Sequence, residues 1–151
     1  MSLLVFLILM SFSFSGDQVF VACEGNFYYG NGALWVIEDE ETYEYAGNPI
    51  GEIAQSVLVH EDKLYVIVNV SSNIQVFDIS ENGLIPLDVI DTQFSGPREM
   101  VVYGNYLYFS NWYTADIKKM NLNTFEIDSE IDMPGLPEDM LIHNNLLYVS
   151  V

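Results

Sequence analysis

The chain has 151 residues, with 22 Asp and Glu against 4 Lys and Arg, a formal net charge of −18, 50% hydrophobic residues and 14% aromatic residues. That apolar and aromatic content excludes a disordered or collagen-like chain. So negative a charge repels phosphate backbones and anionic lipid head groups. It argues against nucleic-acid binding and electrostatic membrane docking, and leaves neutral or cationic molecules, or another protein, as partners.

At the N-terminus, Leu3 to Met10 form a short apolar run, followed by Ser11-Phe12-Ser13-Phe14-Ser15 and then the polar Gly16-Asp17. Residues 1–15 are expected to be a signal peptide, with Ser13 and Ser15 in the small-residue positions before the cleavage point. The run is too short to cross a bilayer, which takes about 20 residues as a helix. The n-region departs from the usual pattern in having no Lys or Arg. The expected mature chain, 16–151, is exported to the cell envelope, the cell surface or the medium. A single cysteine, Cys23, excludes an intrachain disulfide. Phe20 stands where a lipoprotein signal carries Leu, so Cys23 is read as a strand residue.

The predicted elements then run as short strands. A first unit supplies Val19 to Cys23, Ala33 to Ile37 and Tyr43 to Ala46, and is expected to lack its innermost strand. Three later segments superimpose without gaps: Ser56 to Val66, Glu99 to Phe109 and Asp139 to Val149. In each, an apolar triplet (Val57-Leu58-Val59, Met100-Val101-Val102, Met140-Leu141-Ile142) precedes a polar turn (Glu61-Asp62, Gly104-Asn105, Asn144-Asn145). An apolar run containing Tyr65, Tyr108 or Tyr148 follows, which is the pattern of a β-hairpin. Third and fourth strands come next, Ile74 to Asp78 with Leu84 to Ile90, and Ile117 to Leu122 with Phe125 to Ile131.

Four strands every 40 to 45 residues or so, with no helical periodicity, match the blade of a β-propeller. The expected fold is all-β, a partial propeller of about three four-stranded blades over 17–50, 53–92 and 96–133, with the start of another at 136–151. Leu64 to Val68 is apolar on both faces, as in a strand covered by a neighbouring blade on each side. Glu126 to Ile131 alternates instead, so the fourth strands are expected to form a solvated edge whose acidic side chains discourage pairing. A closed ring takes about four to eight blades. The chain also stops inside a strand, at Tyr148 to Val151, so it is expected to be truncated C-terminally.

Lys63-Leu-Tyr-Val66 with Asn69 and Ile74 to Asp78, and Tyr108-Phe-Ser-Asn111 with Asp116 to Leu122, resemble YVTN-type repeats. Val21 to Phe27, Gly30 to Leu34, Ala54-Gln55-Ser56, Val68 to Ser71, Gly96-Pro97-Arg98 and Pro137 to Met140 resemble, more closely, the secreted YVTN propellers of Bacteroidetes-like bacteria. The resemblance covers residues 18–151. It implies a non-enzymatic envelope or surface protein with no cofactor; some members of the group capture corrinoids for an outer-membrane transporter, which would then be a partner.

Fold does not carry function, so the site is argued from residues. In a propeller, the loops between second and third strands and those leading into the innermost strands gather around the channel on one face. Here these loops bring Phe27, Tyr28, Tyr29, Trp112 and Tyr113 together with Gln55, Asn69, Arg98, Asn111 and Glu138. Aromatic rings beside amides and carboxylates suit a flat organic ligand, stacked on its face and hydrogen-bonded at its edge. The same residue types also serve packing between blades and turns. No GxSxG, HExxH, P-loop or CxxC motif is present, and His60 and His143 occupy matching repeat positions before turns. The expected function is non-enzymatic capture of a small organic ligand or an envelope protein. The alternative is a propeller hydrolase or oxidoreductase whose catalytic residues lie in further blades.

Overall fold

A computed structural model describes residues 12–15 and 18–151. Residues 1–11 and 16–17, which hold most of the expected signal peptide and its cleavage junction, lie outside the described residues. Every regular element described is a strand.

The first sheet runs in order through β1 (Phe12–Ser15), β2 (Gln18–Cys23), β3 (Ala33–Glu38) and β4 (Glu41–Glu44). The second is β5 (Ala54–His60), β6 (Lys63–Val68), β7 (Asn73–Ser80) and β8 (Gly83–Asp91). The third is β9 (Pro97–Tyr103), β10 (Tyr106–Asn111), β11 (Asp116–Asn121) and β12 (Ile127–Asp132). A hairpin of β13 (Met140–His143) and β14 (Leu146–Val149) follows. Every pairing between the described strands is antiparallel and joins sequence neighbours.

The turns follow from local chemistry. Asn144 and Asn145 both take positive φ, 49° and 61°, the pairing that a two-residue turn between twisted strands requires and that Asn tolerates. Gly104 (φ 60°) and Glu61 (φ 55°) hold the matching places in the other two repeats. The register repeats as well: Tyr65 stands opposite Leu58, Tyr108 opposite Val101 and Tyr148 opposite Leu141.

Two apolar layers form where blades meet. Phe20, Ala22, Leu34 and Val36 of the first blade pack against Val57, Leu64, Val66 and Phe77 of the second. Tyr65, Ile67, Ile74 and Val76 on the second blade's other face meet Met100, Leu107, Phe109 and Met120 of the third. Leu64 to Val68 is therefore buried on both faces, as its unbroken apolar run requires.

Three expectations need correction. The first blade does not lack its innermost strand: Phe12–Ser15 pairs with β2 over Phe12↔Val21 to Ser15↔Gln18, using the backbone groups that β2 leaves open on that side. Its fourth strand is Glu41–Glu44, not Tyr43 to Ala46, because Tyr45 turns inward to meet the Phe77 ring edge-on at 5.3 Å. The outer edges are not uniformly acidic. β12 is exposed and acid-rich, but β8 exposes Ile85, Leu87 and Val89. There, Pro86 and a bulge opposite Val76/Phe77 interrupt the ladder and discourage pairing as acidic side chains do elsewhere.

Candidate functional site

The second blade, the third blade and the hairpin are each entered through an alanine or proline followed by two polar residues: Ala54-Gln55-Ser56, Pro97-Arg98-Glu99 and Pro137-Glu138-Asp139. In β5 the register shifts between Ala54 and Ser56, and in β9 it shifts opposite Phe109/Asn111. A bulge at this point turns side chains that would alternate across the sheet toward the neighbouring blade.

The result is a polar row crossing three repeats. Arg98 donates from one terminal nitrogen to Gln55 Oε1 at 3.0 Å and from the other to Glu138 Oε2 at 3.2 Å. Its guanidinium lies 3.8 Å from the centroid of the Trp112 ring. One position on, the Ser56 hydroxyl donates to Glu99 Oε2 at 2.7 Å. Burial pushes the Glu99 carboxyl above its usual range. The charges of Asp139 and Glu138 push the same way, against the Ser56 hydrogen bond and Arg98. Ser110 ties the third blade to the hairpin, donating to Glu138 O at 3.0 Å. The row also contains buried donors with no acceptor: Gln55 Nε2, Arg98 Nε and Trp112 Nε1.

The expected site residues therefore separate into groups. Gln55, Arg98, Trp112 and Glu138 are brought together. Tyr113 stands beside them, its ring resting on Gly96, where a Cβ would come within 2.9 Å of it. Asn69 and Asn111 are structural. Buried Asn69 donates to Pro97 O at 2.7 Å across the blade junction, and buried Asn111 is engaged by the Ser95 hydroxyl and by Asp116. Phe27, Tyr28 and Tyr29 project from the loop between β2 and β3, with Tyr28 94% exposed and its backbone N–H held by Glu52. They form a separate patch, with Phe27 and Tyr28 tilted against each other at 6.4 Å.

Two features escaped the sequence reading. The Ser56–Glu99 bond spans 43 residues, the same interval as Gln55–Arg98, and repeat spacing alone pointed to it. Phe94, in the loop leading into β9, is 84% exposed, and its place beside Ser95-Gly96 was the available signal. The histidines fall elsewhere: His60 and His143 end the first strands at their turns, at the far end of the blades from the Arg98 row.

No family model matches the chain, and no curated protein matches it. Among solved structures it is similar to a luciferin-regenerating enzyme, with a TM-score of 0.73 and 12% identity over 92% of this chain and 52% of that one. It is similar to a catalytically inactive virginiamycin B lyase from Staphylococcus aureus with quinupristin, with a TM-score of 0.70 and 16% identity over 97% of this chain and 50% of that one. It is also similar to the computationally designed Ika4 protein, with a TM-score of 0.69 and 12% identity over 93% of this chain and 83% of that one. The chain spans about half the length of the two natural proteins. At such identities the likeness concerns fold alone. Three four-stranded antiparallel blades and a further hairpin, superimposable on propeller proteins, make this chain part of a β-propeller.

Proposed function

We propose that this chain belongs to an exported propeller of the secreted YVTN-repeat type, and that it captures a small organic ligand on its channel face without transforming it. The observation that carries the reading is the Arg98–Trp112 contact, set between Gln55 and Glu138 where the second and third blades and the hairpin meet. A cation held over an aromatic ring and fixed by two side-chain hydrogen bonds offers a pre-organised surface to a planar molecule. Tyr113, next in the chain and exposed, adds apolar area beside it. Export rests on the apolar run Leu3 to Met10 followed by small residues; cleavage after Ser15 would remove β1, so an exported chain keeps the first blade's innermost strand only if it is cut before Phe12. Nutrient capture, with a corrinoid-like ligand delivered to an outer-membrane transporter, is the specific form this reading takes.

The test is ligand retention. The purified chain is incubated with a small-molecule extract, and separately with cyanocobalamin, desalted and analysed by native mass spectrometry. Bound mass on the wild-type chain, lost in the Trp112→Ala/Tyr113→Ala double variant at an unchanged melting temperature, is the expected result. Equal retention by the variant, or none by the wild type, contradicts the reading.

A further inference from the structure

The same site has an uneven balance of donors and acceptors, and the imbalance defines the chemistry of what it holds. Gln55 is 1% exposed, and its Oε1 is already taken by Arg98. Both Arg98 terminal nitrogens are engaged, one by Gln55 and one by Glu138. Three buried donor nitrogens have no acceptor at all: the Gln55 amide Nε2, the Arg98 Nε and the Trp112 indole Nε1. Buried donors are nearly always paired in folded proteins, so three orphans around one ring stack mark a place prepared for acceptors.

Charge decides which acceptors. Glu138 already pairs with Arg98, Glu99 and Asp139 stand on the same rim, and the whole chain carries −18. An anionic ligand would bring its charge against three carboxylates in a negative field. A carbonyl oxygen accepts from the same donors with no such repulsion.

Resting on the ligand-capture reading above, we propose that the site takes a neutral, planar molecule with two or more carbonyl acceptors, of the cyclic imide or lactam class. The three nitrogens are covered while the Trp112 ring lies on the guanidinium. Binding therefore tilts the indole without taking it off Arg98, and the ligand enters along its edge, stacked on the Trp112 and Tyr113 rings that the double variant removes. Its carbonyls accept from Arg98 Nε and Gln55 Nε2, and the released indole N–H donates to the ligand or to water.

The test uses the full chain labelled with nitrogen-15, following the Trp112 indole, Gln55 amide and Arg98 Nε–H signals. The probes are uracil, a neutral planar dicarbonyl; orotate, the same ring carrying a carboxylate; and benzamidine, a planar cation. Uracil is expected to shift all three signals saturably, with orotate at least about tenfold weaker. Gln55→Glu keeps an acceptor for Arg98 but replaces the orphan donor. It is expected to weaken uracil about tenfold while leaving the melting temperature in place. No saturable shift with uracil, or orotate binding as tightly as uracil, overturns the proposal. If benzamidine or an extract molecule is held at Trp112 while uracil is not, ligand capture stands and the carbonyl class falls. If nothing is retained at all, both fall.

Discussion

The two faces of the third blade are built from alternate residues of the same strands and have different fates. On the face toward the second blade, Leu107, Phe109 and Met120 are fully buried, and Lys118 is buried with them. Its ammonium is held by Asp116 at 3.0 Å and Glu130 at 2.8 Å. Burial pulls the Lys118 pKa down, but hydrogen bonds to Glu130 and Asp116 outweigh it, so the net shift is upward. On the opposite face, Tyr108 is half-buried, and Lys119 lies 3.6 Å from the Tyr106 ring centroid, near the surface. That face is covered only at its channel end, where Ser110 and Ile117 are buried and Ser110 reaches the hairpin. A strand's apolar residues are therefore buried only as far as a neighbouring sheet extends over them. The three equivalent tyrosines follow the same rule: Tyr65 is 1% exposed, Tyr108 intermediate and Tyr148 50% exposed.

This contrast can be broken by mutation. Lys118→Met leaves Asp116 as a buried carboxylate without its counter-ion, and should cost about 3–5 kcal/mol of unfolding free energy in urea titration. Phe109→Ala should cost about 3–5 kcal/mol as well, because the two packed sheets cannot close the cavity. Lys119→Met, one residue from Lys118 on the other face, loses a half-buried cation–π contact and should cost about 1 kcal/mol. Tyr148→Ala, on a strand that no blade covers among the described residues, should stay within about 0.5 kcal/mol. Equal costs for Phe109 and Tyr148 would show that both faces are covered in solution.

A smaller effect sharpens the comparison at the channel. Glu99 has a folded-state pKa above its unfolded value, so the folded chain binds the proton more tightly. Stability from this group is then present at low pH and falls as pH rises through the ordinary carboxylate range to the raised value. Glu99→Gln keeps an oxygen for the Ser56 hydroxyl and removes the titration. Its melting temperature should match the wild type near pH 4 and exceed it at pH 7. An unchanged difference across that range would contradict the burial of the carboxyl.

Much of the blade plan was legible in the residues. The interval between Tyr65, Tyr108 and Tyr148, the polar pairs at the turns and the two-sided apolar run Leu64 to Val68 set strand order and the buried layer, because period and hydrophobicity act locally. The pairing of Phe12–Ser15 with β2 was not legible, since the apolar run before it reads as an export signal and nothing in the residues names β2 as a partner. At the site, repeat spacing put Gln55, Arg98 and Glu138 on one rim, where the structure joins them through the guanidinium. It could not show that Asn69 and Asn111 spend their amides on the backbone and on Asp116, because hydrogen-bond partners depend on side-chain geometry between blades.

The stacking of repeats around one axis is tested most directly by a double-mutant cycle on Ser56→Ala and Glu99→Ala, two residues 43 apart that meet only if adjacent blades pack as described. A coupling free energy of about 1 kcal/mol or more at pH 7 is expected. Additive effects, with no coupling, would mean that the second and third sheets do not meet at the channel.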